Sequence, residues 1–226
     1  MTSVLRALDV HKTYRTDPPL PVLAGVDLEL APGERVAVVG RSGSGKSTFL
    51  NLVGLLDTPT SGRVELLGQD TGSLSARERD RLRAHTLGFV FQEHHVLGHR
   101  TVAENLEIAA SIAGTPRTQR RTLVDAALAR VGLTGRRQAL GRLLSGGEKQ
   151  RLAVARAVLS GPRLVLADEP TGNLDPENAD NVLALFDEQA AAGVAVLVIT
   201  HDDRIAAWAD RTVRLCAGRL EEGARR

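Results

Sequence analysis

A glycine-rich segment, Gly40–Thr48, has the residue types and the spacing that bind a chain of phosphates. Its sequence, GRSGSGKST, fits the pattern G-x-x-x-x-G-K-[ST]. The glycines let the backbone turn tightly and point its N–H groups inward, toward the positive end of the following helix. Lys46 adds a full charge, and Ser47 offers a hydroxyl to Mg²⁺. The candidate phosphate-binding residues are Gly40, Arg41, Ser42, Gly43, Ser44, Gly45, Lys46, Ser47 and Thr48.

The residues on either side of this segment predict the strand and the helix that the motif requires. Arg35–Val39 is a short apolar run rich in β-branched residues, which is typical of a buried parallel strand. The stretch from Ser47 to Leu56 is largely apolar and predicts a helix that is buried on more than one side. A glycine-rich turn with a solvated lysine is the alternative, and the flanking elements argue against it.

A second candidate site lies where the apolar run Leu164–Ala167 ends in two carboxylates, Asp168 and Glu169. Asp168 is placed to hold Mg²⁺ opposite Ser47, directly or through a water. A metal-bound carboxylate cannot also accept a proton from water, so Glu169 is the candidate general base. An ordinary acidic turn after a strand would have the same sequence pattern, but the presence of the glycine-rich segment makes that alternative weak.

Polar residues also end two further predicted strands. Gln92 follows Leu87–Phe91 and could position water or metal, while His201 follows Val194–Thr200 and could equally cap the next helix. The carboxyl ends of parallel strands meet at one edge of a sheet, so these groups should share a crevice with the glycine-rich segment. Tyr14 is the only tyrosine and lies among polar residues, which favours stacking on an adenine over core packing.

The sequence Ser145-Gly146-Gly147-Glu148 lies at the N-terminus of another predicted helix. Glycines and a serine at a helix N-terminus form an anion site of the same physical type as the first segment. They are equally compatible with an ordinary helix cap.

Composition predicts one globular domain over residues 1–226 in a reducing compartment. The hydrophobic fraction is 42%, the net charge is +2 and Cys216 is the only cysteine. A net charge this small does not indicate a nucleic-acid partner. The longest apolar run is shorter than the roughly 20 residues that span a bilayer, and the N-terminus lacks a signal-like apolar core. We therefore expect a cytoplasmic protein whose membrane role, if any, depends on a partner.

The order of the predicted elements indicates an α/β fold. Strands dominate the start of the chain, with Leu5–Val10 and Val26–Leu30 the clearest, and strands alternate with helices after about residue 160. Helices follow one another between about residues 95 and 160, which suggests a helical lobe inserted into the α/β chain.

Five motifs occur in the order and spacing of ABC transporter ATP-binding subunits: GRSGSGKST, the Gln92 loop, LLSGGEKQR, LADEPTGNLD and ITHDD. The chain resembles this family over nearly its whole length. GLLDTPTSG, GFVFQEHHVL and TVAENLEIAA are similar to a narrower group, which serves lipoprotein-releasing, macrolide-export and cell-division permeases. The resemblance implies a P-loop NTPase fold of the ABC ATPase type, with an N-terminal antiparallel β portion and an inserted helical lobe.

The resemblance also implies roles for particular residues. Tyr14 would stack on the adenine of ATP, and Gly40–Thr48 would hold its phosphates. Mg²⁺ would lie among Ser47, Gln92 and Asp168. The catalytic residues would be Glu169, which polarises the attacking water, with His201, Gln92 and Lys46.

Two copies of the chain would close head to tail, according to the same resemblance. Ser145, Gly146, Gly147 and Glu148 would bind the ATP of the opposite copy, and Asp175 would lie across the interface. A membrane permease would contact Glu93–Leu106, which would place the chain on the inner face of the cell membrane. Two alternatives stay open: a regulatory ATPase that drives an extracytoplasmic enzyme through its membrane partner, and a soluble ABC ATPase without a permease.

Overall fold

The computed structural model describes residues 3–172 and 174–225. Near the N-terminus the chain forms an antiparallel sheet of four strands, in the order β2-β1-β4-β5. These strands are β1 (Leu5–Tyr14), β2 (Leu20–Leu30), β4 (Ser61–Leu66) and β5 (Gln69–Asp70). The prediction of an antiparallel N-terminal portion is therefore confirmed.

A second sheet of six strands has the order β10-β9-β3-β8-β7-β6. Its strands are β3 (Arg35–Val39), β6 (Leu87–Val90), β7 (Leu164–Asp168), β8 (Ala195–Thr200), β9 (Arg211–Cys216) and β10 (Arg219–Arg225). All neighbouring pairs are parallel except the closing hairpin of β9 and β10. Val39 pairs with Thr200, and Asp168 pairs with Ile199. This register brings the ends of β3, β7 and β8 to one edge.

Seven α-helices are present in the described part of the chain. They are α1 (Lys46–Val53), α2 (Ala76–Thr86), α3 (Val102–Ile112), α4 (Arg117–Arg130), α5 (Gly146–Val158), α6 (Pro176–Ala191) and α7 (Asp203–Trp208). Helices α3, α4 and α5 follow one another between β6 and β7, as the sequence predicted. In this part of the chain, no helix is both long enough and apolar enough to cross a membrane.

The hydrophobic core lies on both faces of the parallel sheet. Side chains of β7 alternate between the two faces: Leu164 and Leu166 pack in the cluster that includes Phe49 of α1, whereas Val165 packs in the cluster that includes Phe186 of α6. The first cluster joins the two sheets, and the second joins the parallel sheet to the helices. The parallel sheet is thus covered on both sides, which explains its continuous apolar strands.

A polar clasp joins the base of the parallel sheet to α6 and α7. Arg35 of β3 donates to Asp187 at 2.5 Å and to Asp210 at 2.6 Å. Trp208, the only tryptophan, donates its Nε1–H to Asp187 at 2.8 Å, and the Arg35 guanidinium lies 5.1 Å from the indole centroid. These contacts fix the strand that leads into the glycine-rich segment.

Three predicted boundaries were wrong by more than one residue. Helix α1 ends at Val53, before the expected Leu56, because the backbone turns left-handed at Leu55, whose φ angle is 57°. Strand β1 continues beyond Val10, and β2 begins at Leu20 instead of Val26. The charged and proline-containing ends of these strands concealed them, and both ends lie near the crevice described next.

Candidate functional site

A crevice of about 720 Å³ opens where β3, β7 and β8 end. Its lining residues are Tyr14, Leu20, Val22, Gly40, Arg41, Ser42, Gly43, Gly45, Lys46, Ser47, Thr48, Gln92, Asp168, Glu169 and His201. The structure therefore brings the glycine-rich segment together with the polar residues that end three other strands. Leu20 and Val22 were not predicted, because the prolines around them conceal the start of β2. Their apolar character beside Tyr14 is the signal that could have identified them.

The glycine-rich segment has the backbone shape that its sequence predicts. Gly43 and Gly45 have positive φ angles of 77° and 101°, which favour glycine. At Gly40, a Cβ would lie 2.6 Å from the carbonyl oxygen of Leu215. Among the described residues no side chain caps the start of α1, whose first residues, Lys46, Ser47 and Thr48, line the crevice. Such an N-terminus attracts an anion.

Lys46 occupies a defined position within this segment. Its Nζ donates to the carbonyl oxygens of Gly40 at 2.9 Å and Arg41 at 3.0 Å. These bonds hold the ammonium group against the turn, beside the N-terminus of α1. A phosphate bound in the crevice would replace these carbonyl oxygens as the hydrogen-bond acceptor of Lys46. The new hydrogen bond would be charge-assisted.

Ser47 and Asp168 form the oxygen-rich side of the crevice. The Ser47 hydroxyl donates to Asp168 Oδ2 at 3.3 Å. Burial raises the pKa of Asp168, and the nearby Glu169 charge adds to this effect, although the Ser47 hydrogen bond opposes it. Hydroxyl and carboxylate oxygens are the ligands that Mg²⁺ prefers, and a cation would relieve the cost of burying this carboxylate. The residues present therefore fit a magnesium site.

Glu169 lies next to Asp168 but faces a different partner. Its Oε1 is 2.6 Å from His201 Nδ1, and its Oε2 accepts a hydrogen bond of 3.1 Å from Thr200. The Glu169 side chain is 12% exposed, whereas that of His201 is 73% exposed. This hydrogen bond and the charge of Glu169 raise the pKa of His201. The two acidic residues therefore have separate environments, one beside Ser47 and one beside His201.

Tyr14 lies at the mouth of the crevice with its ring held by charged neighbours. Its hydroxyl is 3.5 Å from Asp57 Oδ2, and Lys12 Nζ lies 5.0 Å from the ring centroid. Lys12 and Asp57 form an ion pair at 2.7 Å. These contacts orient the ring and leave it in the lining of the crevice, where an aromatic base could stack.

The second glycine-rich site lies elsewhere. Ser145 caps α5, and its hydroxyl accepts from Glu148 N at 3.2 Å. In return Glu148 Oε2 accepts from Ser145 N at 2.8 Å, and its Oε1 accepts from Arg136 at 2.8 Å. The described residues that line the crevice include none from Ser145, Gly146, Gly147 and Glu148. Within one chain, this site is a capped helix start.

Asp175 also lies outside the crevice lining and caps α6. Its Oδ1 accepts from Asn178 N at 2.9 Å, and its Oδ2 accepts from Asn178 Nδ2 at 2.7 Å. Asn173, in the same LADEPTGNLD motif, lies outside the described residues. Ser44 is partly exposed, but its hydroxyl oxygen is buried and has no hydrogen-bond partner among the described residues.

Comparisons with known proteins agree with this geometry. The family model described as ABC transporter matches residues 23–172. The lipoprotein-releasing system ATP-binding protein LolD of Shewanella frigidimarina is 48% identical, and the alignment covers 97% of this chain and 92% of that protein. The macrolide export ATP-binding/permease protein MacB 2 of Aeromonas hydrophila is 44% identical over 94% of this chain, which spans only 33% of that longer protein.

A solved structure extends the likeness to three dimensions. The dimeric post-hydrolysis state of the ATP-binding cassette MJ0796, bound to ADP and Pi, superposes with a TM-score of 0.91. The two sequences are 32% identical, and the match covers 98% of each chain. With the family match over residues 23–172, this likeness shows that the chain belongs to the ABC transporter family and has the fold of its ATP-binding ATPase domain.

Proposed function

We propose that this chain binds and hydrolyses ATP and that two copies of it power a separate membrane permease. The observation that carries the proposal is the convergence of Gly40–Thr48, Asp168, Glu169 and His201 on one crevice. We further propose that residues 1–226 form a single ABC ATPase domain, in which residues of about 95–160 are the helical subdomain.

ATP would lie with its adenine on Tyr14 and its phosphates on Gly40–Thr48. The uncapped start of α1 would bind the phosphates through backbone N–H groups, and Lys46 would exchange its two carbonyl partners for phosphate oxygens. Leu20 and Val22 would add apolar contacts on the adenine side.

Ser47, Asp168 and Gln92 are the residues that would hold Mg²⁺. When bound, this ion would neutralise charge that develops on the phosphates during transfer. The Ser47 hydroxyl and the Asp168 carboxylate already lie 3.3 Å apart and need little rearrangement. Gln92 follows β6 and lines the same crevice.

Glu169 would accept a proton from the attacking water. In the structure its carboxylate is bonded to His201 and Thr200, so it is oriented and largely shielded from solvent. Contact between His201 and the terminal phosphate would require the imidazole to exchange its partner. From its position beside Glu169, His201 could orient the Glu169 carboxylate before ATP binds and contact the terminal phosphate afterwards.

The Ser145–Glu148 site would complete the crevice of a second copy. Within one chain it lies outside the crevice, and a head-to-tail dimer would bring it onto the phosphates from the opposite side. Asp175 would lie across the same interface. The chain should therefore bind ATP as a monomer and hydrolyse it efficiently only as a dimer.

The permease would contact the segment Glu93–Leu106. An apolar groove of about 620 Å³ adjoins this segment and shares His95 with it. Leu56, Phe89, Phe91 and Ile112 supply much of its apolar lining. Leu56 and Ile112 are 48% and 67% exposed, which is typical of a surface that a partner covers.

The names of the relatives favour a permease for lipoprotein release or export. In that case the chain lies on the inner face of the cell membrane, held by its partner. A regulatory ATPase of the cell-division type would use the same groove to drive an extracytoplasmic enzyme. Copurification of the membrane protein that binds this groove distinguishes these proposals, and a chain without any such partner would be a soluble ABC ATPase.

The variant Glu169→Gln tests the catalytic assignment. We expect ATP binding to survive and hydrolysis to fall by roughly 10²–10⁴-fold, because the proton acceptor is lost. The same variant should accumulate an ATP-bound dimer, measured by light scattering after size-exclusion chromatography. Hydrolysis at the parent rate would show that Glu169 is not the base.

A further inference from the structure

Gln150 links the second glycine-rich site to the loop of the proposed base. It lies on α5, five residues after Ser145, and only 2% of it is exposed. Its Nε2 donates a hydrogen bond of 2.5 Å to the backbone carbonyl of Pro170. Pro170 is buried and directly follows Glu169. Because an unpaired buried amide is costly, this bond ties the loop to α5.

Glu169 needs such support because its backbone has a φ angle of 46°. Residues other than glycine rarely adopt this left-handed conformation, which persists only where neighbouring contacts enforce it. On one side, Glu169 N donates to Ile199 O of β8 at 2.9 Å. On the other side, Gln150 of α5 donates a hydrogen bond to the carbonyl of the next residue, Pro170. The two contacts fix the loop between β8 and α5.

We infer that Gln150 is a positioning residue that couples the Ser145–Gly147 end of α5 to the orientation of Glu169. The inference rests on the proposed function, in which Ser145–Gly147 contacts the nucleotide of the second copy. Gln150 lies about 6 Å along the helix from Gly146. A shift of the helix start would therefore reach Pro170 through one side chain, without passing through the crevice.

A double-mutant cycle tests this coupling. Gln150→Leu removes the hydrogen-bond donor and is made both in the parent chain and in the Glu169→Gln variant. In the parent, kcat should fall roughly 10–100-fold, as expected when a reacting group is misplaced. The ATP affinity of the monomer should stay unchanged, because Gln150 does not line the crevice. In Glu169→Gln, the slow residual rate should not fall further.

Gln189→Leu is the matched control. Gln189 is a glutamine of α6 that is 7% exposed and lies outside the crevice lining, so this variant should hydrolyse ATP at the parent rate. An equal loss of activity from Gln150→Leu with and without Glu169 would show a merely structural role, and no loss in the parent would also overturn the inference. Failure of the proposed function would be seen separately, as a parent chain that does not hydrolyse ATP.

Gln150→Glu gives a second readout. Its carboxylate would repel the Pro170 carbonyl, but its protonated form could donate the same hydrogen bond. Burial raises the pKa of a carboxyl group, so protonation should occur under mildly acidic conditions. The kcat of Gln150→Glu relative to the parent should therefore recover as the pH falls. A constant ratio across the pH range would contradict the inference.

Discussion

The starts of α1 and α5 are both rich in glycine, yet they are different kinds of site. Helix α1 begins after Gly45, and Lys46 is the only charged residue of its first turn, Lys46–Phe49. Helix α5 begins after Ser145 with a complete capping box. There the carboxylate of Glu148 already accepts the hydrogen bond of a backbone N–H group. The first helix start is open to an anion, whereas the second carries an anion of its own.

The difference suits the proposed dimer, in which the two sites would share one nucleotide. The open start of α1 can bind phosphates within a single chain. The capped start of α5 is stable without a ligand. In the proposed dimer it would contact the phosphates that are bound to the other copy. A serine and two glycines before a helix are therefore not sufficient to predict which kind of site is present.

The largest expected difference concerns alanine at the two helix starts. Gly45→Ala should weaken ATP binding by the monomer roughly 10–100-fold, because Gly45 has a φ angle of 101° and a Cβ would lie 3.0 Å from Val22. Gly146→Ala, with open space around its Cβ, should leave this affinity unchanged. Isothermal titration calorimetry with ATP measures both. Equal losses would contradict the separation of the two sites.

Gly147→Ala should affect the dimer and leave the monomer unchanged. A Cβ at Gly147 would lie 2.6 Å from Asn178 Oδ1, so either the start of α5 shifts away from α6 or the Asn178 amide leaves its bonds to Arg151 and Asp175. We expect at least a tenfold fall in kcat, since misplacement of about 1 Å can cost far more. ATP binding by the monomer provides the control. A loss of that binding would place Gly147 in the site of its own chain.

Glu148→Gln should produce small effects of opposite sign. Loss of the carboxylate should lower the free energy of unfolding by about 0.3–1 kcal/mol, as expected at a helix N-terminus. The ATP-bound dimer should tighten about two- to fivefold, because a negative charge near the proposed phosphate position is removed. Chemical denaturation and light scattering measure these changes. A weaker dimer would show that the Glu148 carboxylate makes a net favourable contact with the opposite copy.

The two sites should also titrate in different pH ranges. The hydrogen bond from Ser145 N lowers the pKa of Glu148, so its contribution to stability is present above its ordinary pKa and is lost as the pH falls through the lowered value. The hydrogen bond with Glu169 raises the pKa of His201, so that contribution is present below the ordinary pKa and is lost as the pH rises through the raised value.

NMR titration of the histidine ring protons tests the second half of this contrast. The His201 midpoint should lie above that of an ordinary histidine and should fall in Glu169→Gln, where the charged partner is absent. Loss of one resonance in His201→Asn assigns the signal. An unchanged midpoint in Glu169→Gln would show that the His201–Glu169 contact is not formed in solution.

Local signals predicted the helix starts well. The pairs Ser75 with Glu78 and Thr101 with Glu104 have the sequence spacing of a capping box, and both form one in the structure. Asp175, followed by a proline in the first turn, has the sequence pattern of a helix start and caps α6. These features depend on residues three apart in the sequence, so composition and spacing suffice.

Features that depend on distant residues were not predicted. Gly54 packs against Phe89 of β6, where a Cβ would not fit, and Lys12 is buried in a strand because it pairs with Asp57. The crevice lining was largely expected from the motifs, but Leu20 and Val22 join it through strand pairing. The bond from Gln150 to Pro170 joins two elements whose proximity no local pattern indicates.

The clasp at the base of the parallel sheet makes Trp208 an intrinsic fluorescence probe of unfolding. Trp208 is the single indole, and it is held by Asp187 and covered by Arg35 at the end of β3 away from the crevice. Its emission should therefore be nearly insensitive to whatever occupies the crevice and should change when the strand parts from α6 and α7. Intrinsic fluorescence can follow unfolding in every variant above without a label and without interference from bound nucleotide.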